Sequence, residues 1–297
     1  MHNTVTGFAA TEGRGKTCDD LSIKDVKAMS AIWELDGADP RLKRAVLLGG
    51  DDPAVYSLHR TDGKSPYVIT ADHAGRAIPR VLGSLGLAAR DLDRHIAWDI
   101  GVAGTAEKLA ERLDAFAILQ NYSRLVIDCN RTPGTEQSVI VASEKTLVPG
   151  NMGLSVGEAE ARADAIFHPY HNRICAELDA RLALARPTVL VALHSFTPVY
   201  LGVARPWHVG VLYQRDRRLG HLLLDRARRE PGLVVGDNQP YAVSDTTDYG
   251  IPVHGEQRGI AHVELEIRQD LIADDTGQEL WAARLAEWLA EALKQLK

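Results

Sequence analysis

Two unbroken apolar runs stand out along the chain, and both stop at a histidine. Tyr67-Val-Ile-Thr-Ala71 passes into Asp72-His73-Ala-Gly75, and Thr188-Val-Leu-Val-Ala-Leu193 passes into His194-Ser-Phe-Thr-Pro198. Short apolar, β-branched runs bounded by turn residues read as buried strands. Around these two, strand-like and helix-spaced stretches alternate. An edge strand is expected at Ala54-Val-Tyr56 and a short helix over residues 80–90. A longer helix is expected over 96–113, where Ile100, Val102, Leu109 and Leu113 recur at helical spacing. Residues 116–119 and 125–128 read as further strands, and 157–184 as a long helix closed by Pro187. Later strands are expected at 209–213 and 233–235, and amphipathic helices at 218–229 and 280–296. His262-Val-Glu-Leu-Glu-Ile-Arg268 alternates as a strand with one polar face. Such alternation predicts an α/β fold with a largely parallel sheet covered on both faces.

The chain has 297 residues, 45% of them hydrophobic, enough for one large core. Residues 1–45 show no sustained periodicity and read as a loose N-terminal extension, leaving 46–297 as a single domain. Net charge is −6, from 34 basic and 40 acidic residues, with no basic block, so neither nucleic acid nor an anionic membrane is an expected partner. No apolar run approaches the ~18–20 residues of a membrane span. Met1 to Trp33 has no apolar central region of the signal-peptide kind. Cys18, Cys129 and Cys175 show no metal-finger or CxxC spacing. A cytoplasmic location is therefore expected.

A buried parallel strand that ends in histidine puts its imidazole at the carboxyl edge of the sheet, where open α/β sheets keep their ligand crevices. Two such histidines, His73 and His194, together with a carboxylate, are the parts of a catalytic zinc site with one position left for water. Loop histidines with unrelated roles are the plainer alternative. Asp99 stands near the start of the 96–113 helix, where a carboxylate favours the helix dipole. Glu264 and Glu266 share one strand face, and either is placed to take a proton from water at such a site; a solvated strand face gives the same pattern. Asp128-Cys-Asn130-Arg131 follows an expected strand. Arg131 offers a planar fork for a carboxylate and Asn130 a neutral donor, with Arg205 as a weaker second cation; a capped turn with Arg131 in solvent is the alternative. His168 and His171 sit three apart in the long helix, a spacing that suits packing or support of a site better than ligation. Ser195 has no GxSxG setting, and the glycines form neither a phosphate loop nor a dinucleotide fingerprint.

Six segments in order resemble the N-formylglutamate amidohydrolase family. They are Asp72-His73-Ala74 with Ile78-Pro79, Arg94-His-Ile-Ala-Trp-Asp99-Ile-Gly101, Tyr122-Ser-Arg-Leu-Val-Ile-Asp-Cys-Asn-Arg131, Leu193-His-Ser-Phe-Thr-Pro198, Asn238-Gln-Pro-Tyr241 and Val263-Glu-Leu-Glu-Ile-Arg268. The resemblance spans about residues 50–295. It implies a three-layer α/β/α fold of the zinc-peptidase, phosphorylase/hydrolase-like type with a mostly parallel mixed sheet. It also implies one zinc ion and hydrolysis of an N-acyl acidic amino acid, typically N-formyl-L-glutamate to formate and L-glutamate, in histidine breakdown. More distantly the pattern is similar to zinc carboxypeptidases and the succinylglutamate desuccinylase and aspartoacylase group. On that likeness His73 and His194 are metal ligands, Asn130 and Arg131 hold the substrate carboxylate, and Glu266 is the base. Where those enzymes carry His-x-x-Glu, this chain has Arg76. The carboxylate ligand is then expected from Asp99, with Asp72 as the alternative.

Overall fold

The structure is a computed structural model that describes residues 47–296. The expected extension over 1–45 lies outside the described residues. A seven-stranded mixed sheet forms the middle layer. In chain order its strands are β1 (Tyr56–His59), β2 (Tyr67–Ala71), β3 (Phe116–Gln120), β4 (Val189–Phe196), β5 (Val209–Leu212), β6 (Val235–Asp237) and β7 (Ala261–Arg268). Their order across the sheet is β1-β3-β2-β4-β7-β5-β6. The central run β3, β2, β4, β7 is parallel. β1 pairs antiparallel with β3, and β5 pairs antiparallel with β7.

Helices cover both faces, as a sheet with two apolar sides requires. After a single helical turn, α1 (Ala89–Leu92), come α2 (Val102–Leu113), α3 (Val156–Arg162), α4 (His168–Ala183), α5 (Arg218–Ala227) and α6 (Asp275–Gln295). One core packs α2, α5 and α6 against Tyr67, Ile69, Val191, Leu193, Val263 and Leu265. The other packs residues 163–167 and α4 against Val68, Ile118, Leu190 and Ala192. Successive strand residues point to opposite faces, so β2, β3 and β4 feed both cores, whereas β7 feeds only the first. Among the described residues no helix is long and apolar enough to cross a membrane.

The long helix expected over 157–184 is interrupted. A capping box at Ser155 and Glu158 starts α3, and a π turn over Ala163–Phe167 joins α3 to α4. Pro169, with no N–H to donate, follows that turn at once. The helix expected from residue 96 begins at Val102 instead, after Gly101 in the left-handed region at φ 82°. A Cβ on Gly101 would lie 1.9 Å from the Ile272 carbonyl oxygen. Residues 80–90 form separate short turns.

The expected strand at 125–128 is a buried, irregular segment. Leu125, Val126 and Ile127 are fully buried, but side chains satisfy the backbone there in place of a ladder. Asn151 Nδ2 donates to the Leu125 carbonyl (2.8 Å), and Arg162 Nη1 donates to the Val126 carbonyl (2.9 Å).

Candidate metal and acyl-hydrolysis site

Three parallel strands deliver the central side chains. On β2, β4 and β7, Thr70, Ala192 and Glu264 are lateral neighbours on one face. Two residues further along come Asp72, just past β2, then His194 and Glu266, the last two in direct register. His73 follows in the turn after β2. Asp99 is brought beside it because the Asp99 N–H donates to the His73 carbonyl (2.9 Å), while the Asp99 carbonyl accepts from Val102 N–H at the start of α2 (3.2 Å). Gly75 permits the next part of the turn: a Cβ there would fall 2.0 Å from the Asn121 carbonyl oxygen.

His73, Asp99 and His194 converge. Each offers one ligand atom, all within 4.8 Å of one another, and all three residues are buried. Asp99 Oδ2 lies 2.9 Å from His194 Nδ1 and 3.5 Å from His73 Nδ1. It also accepts from Ser195 N–H (3.2 Å). His73 Nδ1 is buried with no hydrogen-bond partner, an orphan that interiors rarely tolerate. Two imidazoles and a carboxylate are a donor set suited to zinc, so these residues fit such an ion.

The far side of each ring faces another carboxylate. His73 Nε2 is 2.7 Å from Asp128 Oδ1, and Arg124 donates to Asp128 Oδ2 (2.6 Å). His194 Nε2 is 3.7 Å from Asp72 Oδ2, and Tyr170 O–H donates to Asp72 Oδ1 (2.7 Å). Burial opposes charge on Asp99 and Asp128, yet the neighbouring basic and hydrogen-bonding groups outweigh it. His73 and His194 hold Asp99 below the ordinary carboxylate range, and Arg124 and His73 do the same for Asp128.

The polar face of β7 is not solvated: Glu264 and Glu266 are 4% and 6% exposed. Both line the same cavity of about 410 Å³ as His73, Asp99 and His194. Burial pushes Glu264 up to about 7 and Glu266 well above the ordinary glutamate value, partly countered in each case by His194. Glu266 lies between His194 on β4 and Gly210 on β5.

The expected carboxylate-holding groups of the cavity wall already have partners. Arg131 Nη1 donates to the Asn130 carbonyl (2.8 Å) and to Asp248 Oδ1 (3.3 Å). The Asn130 amide is occupied as well: Oδ1 accepts from Tyr249 and Gly250 N–H (2.9 Å each), and Nδ2 donates to Asp248 (3.3 Å). Asn130 thus holds the 248–250 loop against the cavity. Arg205 donates to the Tyr241 hydroxyl (2.8 Å), with its guanidinium 4.7 Å from the Tyr200 ring centre and 4.9 Å from that of Tyr241. His168 is exposed; His171 is buried, bonded to the Cys129 carbonyl (2.7 Å) and to His254 (2.9 Å). Reading by residue type missed Arg124, Tyr170 and Asp248. Arg124 stood inside a quoted motif, whereas Tyr170 and Asp248 had no local signal.

Comparison with known proteins adds a family. The N-formylglutamate amidohydrolase family model matches residues 65–273. The crystal structure of gene product Atu2144 from Agrobacterium tumefaciens is 35% identical at a TM-score of 0.81, over 84% of this chain and 98% of that one. That of N-formylglutamate amidohydrolase from Ralstonia eutropha JMP134 is 20% identical at a TM-score of 0.54, over 80% and 98%, a likeness of fold. No curated protein matches the chain.

Proposed function

This chain belongs to the N-formylglutamate amidohydrolase family, an amidohydrolase enzyme by that membership, and on that footing we propose that its cavity holds one zinc ion and hydrolyses the amide of an N-acyl acidic amino acid, N-formyl-L-glutamate being the type substrate. What supports this most is the meeting of His73 Nδ1, His194 Nδ1 and Asp99 Oδ2, with Glu266 in register beside His194. A zinc ion bound there supplies a Lewis acid for the acyl carbonyl and lowers the pKa of water toward ~7.

The chain's own groups do the rest. Glu266 accepts a proton from the attacking water and passes it to the leaving nitrogen as the C–N bond breaks, giving the free carboxylic acid and the amine. Burial raises its proton affinity above that of a solvated carboxylate, partly countered by His194. Arg131 keeps N–H donors beyond those given to Asn130 and Asp248, and these orient a substrate carboxylate. Arg205, beside the rings of Tyr200 and Tyr241, lines the same cavity and assists in holding an acidic side chain. Fixing the amide against activated water is where such a site gains most of its rate.

The test is metal analysis of the purified protein with a formate- and amine-release screen over N-acyl amino acids. One equivalent of zinc and turnover of N-formyl-L-glutamate, lost on chelation and restored by zinc, is the expected result. Chelator-insensitive turnover would refute the metal assignment. Preference for neutral N-formyl amino acids would refute the acidic substrate.

A further inference from the structure

We propose that Asp248 sets the strength and selectivity of the carboxylate clamp: it is a resident carboxylate that shares Arg131 with the substrate and weakens the grip, so that an acid bound there can leave. This rests on the substrate reading above and names the residue that tunes it. The two groups expected to hold a substrate carboxylate, Arg131 and Asn130, both reach Asp248 Oδ1, each at 3.3 Å. The other oxygen is committed to the turn that carries it: Oδ2 accepts from Ser244 N–H (2.9 Å) and from the Thr247 hydroxyl (2.8 Å). The Asp248 N–H donates back to the Ser244 carbonyl (3.1 Å) and closes that turn. The next two residues are tied down as well, since Tyr249 and Gly250 N–H donate to Asn130 Oδ1. Outside, Arg215 grips Asp245 with both terminal nitrogens (2.7 and 3.0 Å). The turn is thus held on both sides, and Asp248 is a fixed part of the cavity wall.

Both oxygens of Asp248 face donors, so a carboxylate suits the position and an amide does not. Asparagine would set an NH2 group against either Ser244 N–H or the Arg131 guanidinium. Arg131 gives its Nη1 protons to the Asn130 carbonyl and to Asp248. The edge formed by Nε and Nη2 carries its other N–H groups, and that edge is a bidentate seat for one carboxylate. A carboxylate seated there shares a single positive charge with Asp248. It gains hydrogen bonds, but the Arg131–Asp248 pair is neutral and Asp248 is a like charge close by. Two effects of Asp248 therefore oppose each other: it orients the fork, which favours binding, and its charge disfavours binding. The side chains of Arg131 and Asp248 are 23% and 10% exposed, too little for solvent to screen the charge away, so the charge effect wins. The product amine keeps the carboxylate by which the substrate was held. A clamp at full strength would retain it after the C–N bond has broken, and gripping substrate and product alike does nothing for turnover.

Binding of glutarate to the full-length protein as purified is measured by calorimetry, with the neutral diamide of glutarate as control, for the wild type, Asp248→Asn, Asp248→Ala and Arg131→Gln. Inhibition of N-formyl-L-glutamate turnover by L-glutamate is measured alongside. Both Asp248 variants are expected to bind glutarate about ten-fold more tightly, to leave the diamide unchanged and to strengthen inhibition by L-glutamate by a similar factor. Arg131→Gln should weaken glutarate binding about ten-fold or more. Asp248→Ala sets no NH2 group against either neighbour, so it serves where asparagine disrupts the turn, and melting temperatures report which variants are folded. Weaker or unchanged glutarate binding in a folded Asp248 variant would overturn the proposal and leave Asp248 a structural residue of its turn. So would unchanged binding in Arg131→Gln, which would place glutarate elsewhere. No glutarate binding in the wild type or in either Asp248 variant would overturn the acidic-substrate reading, and this proposal with it.

Discussion

Replacing Arg162 by methionine tests how the irregular segment that carries Arg124, Asp128, Asn130 and Arg131 is held. Arg162 is 2% exposed. It donates to the Val126 carbonyl (2.9 Å), to Asn151 Oδ1 (2.7 Å) and to the Gly150 carbonyl (3.2 Å). Asn151 in turn donates to the carbonyls of Leu125 and Ile140 (2.8 Å each), so one guanidinium organises both sides of the segment. Hydrogen bonds from a charged donor are worth about 1.5–3 kcal/mol each, and removing the donor leaves two buried acceptors and one part-buried acceptor short. Against this, the variant no longer desolvates a guanidinium, which costs several kcal/mol. The balance is a loss of about 2–4 kcal/mol, or roughly 5–15 °C in melting temperature for a domain of this size. Urea denaturation with and without zinc measures it, and turnover per folded molecule should fall because Asp128 no longer holds His73 firmly. A loss below about 1 kcal/mol with unchanged turnover would show that the segment is fixed by apolar packing alone.

Three other changes probe the site. Glu266→Gln keeps size and removes the base; zinc content and folding should persist while kcat drops by a factor on the order of 10²–10⁴. Near-wild-type turnover in Glu266→Gln with an inactive Glu264→Gln would move the base by two residues along β7. Arg131→Lys should reduce kcat/KM for acidic substrates roughly ten- to a hundred-fold, since lysine cannot reproduce the bidentate fork. Equal losses for acidic and neutral N-formyl amino acids would refute that role. Alanine at His73 or His194 should abolish both zinc binding and hydrolysis, and full zinc occupancy in either variant would sink the ligand assignment.

Much of the fold was legible because β2 and β4 are fully buried parallel strands, and such strands are written as unbroken apolar runs. Their histidine endings marked the sheet edge for the same reason. The strand β7 was legible only in part. Alternation of His262, Glu264 and Glu266 with valine, leucine and isoleucine reads the same whether the polar face meets water or a closed cavity. Only the covering loops, distant in sequence, decide. Leu125-Val-Ile127 misled because an apolar run reports burial and not hydrogen-bond partners. Those partners, Asn151 and Arg162, come from a later loop and helix. Asp99 entered through its place near an expected helix start and through Arg76 standing where the related enzymes carry glutamate; what places it in the structure is a backbone bond to His73 that no spacing announces. Tyr170 carried no signal of its own within the expected 157–184 helix.

The π turn at Ala163–Phe167 works as a phase shifter. An α-helix advances about 100° per residue, so one residue accommodated in a widened turn rotates everything after it by about that angle relative to an uninterrupted helix. Before the turn, Arg162 points at the irregular segment; after it, Tyr170 points at Asp72. A regular helix through the same residues could aim one of these side chains inward but not both. Removing the one extra residue would therefore restore a regular helix with Tyr170 still on its present face, whereas drawing all the same residues into a regular helix would swing Tyr170 away by about 100°. The widened turn thus sets two side chains of one helical run at nearly one angle, Arg162 toward the cavity wall and Tyr170 toward Asp72.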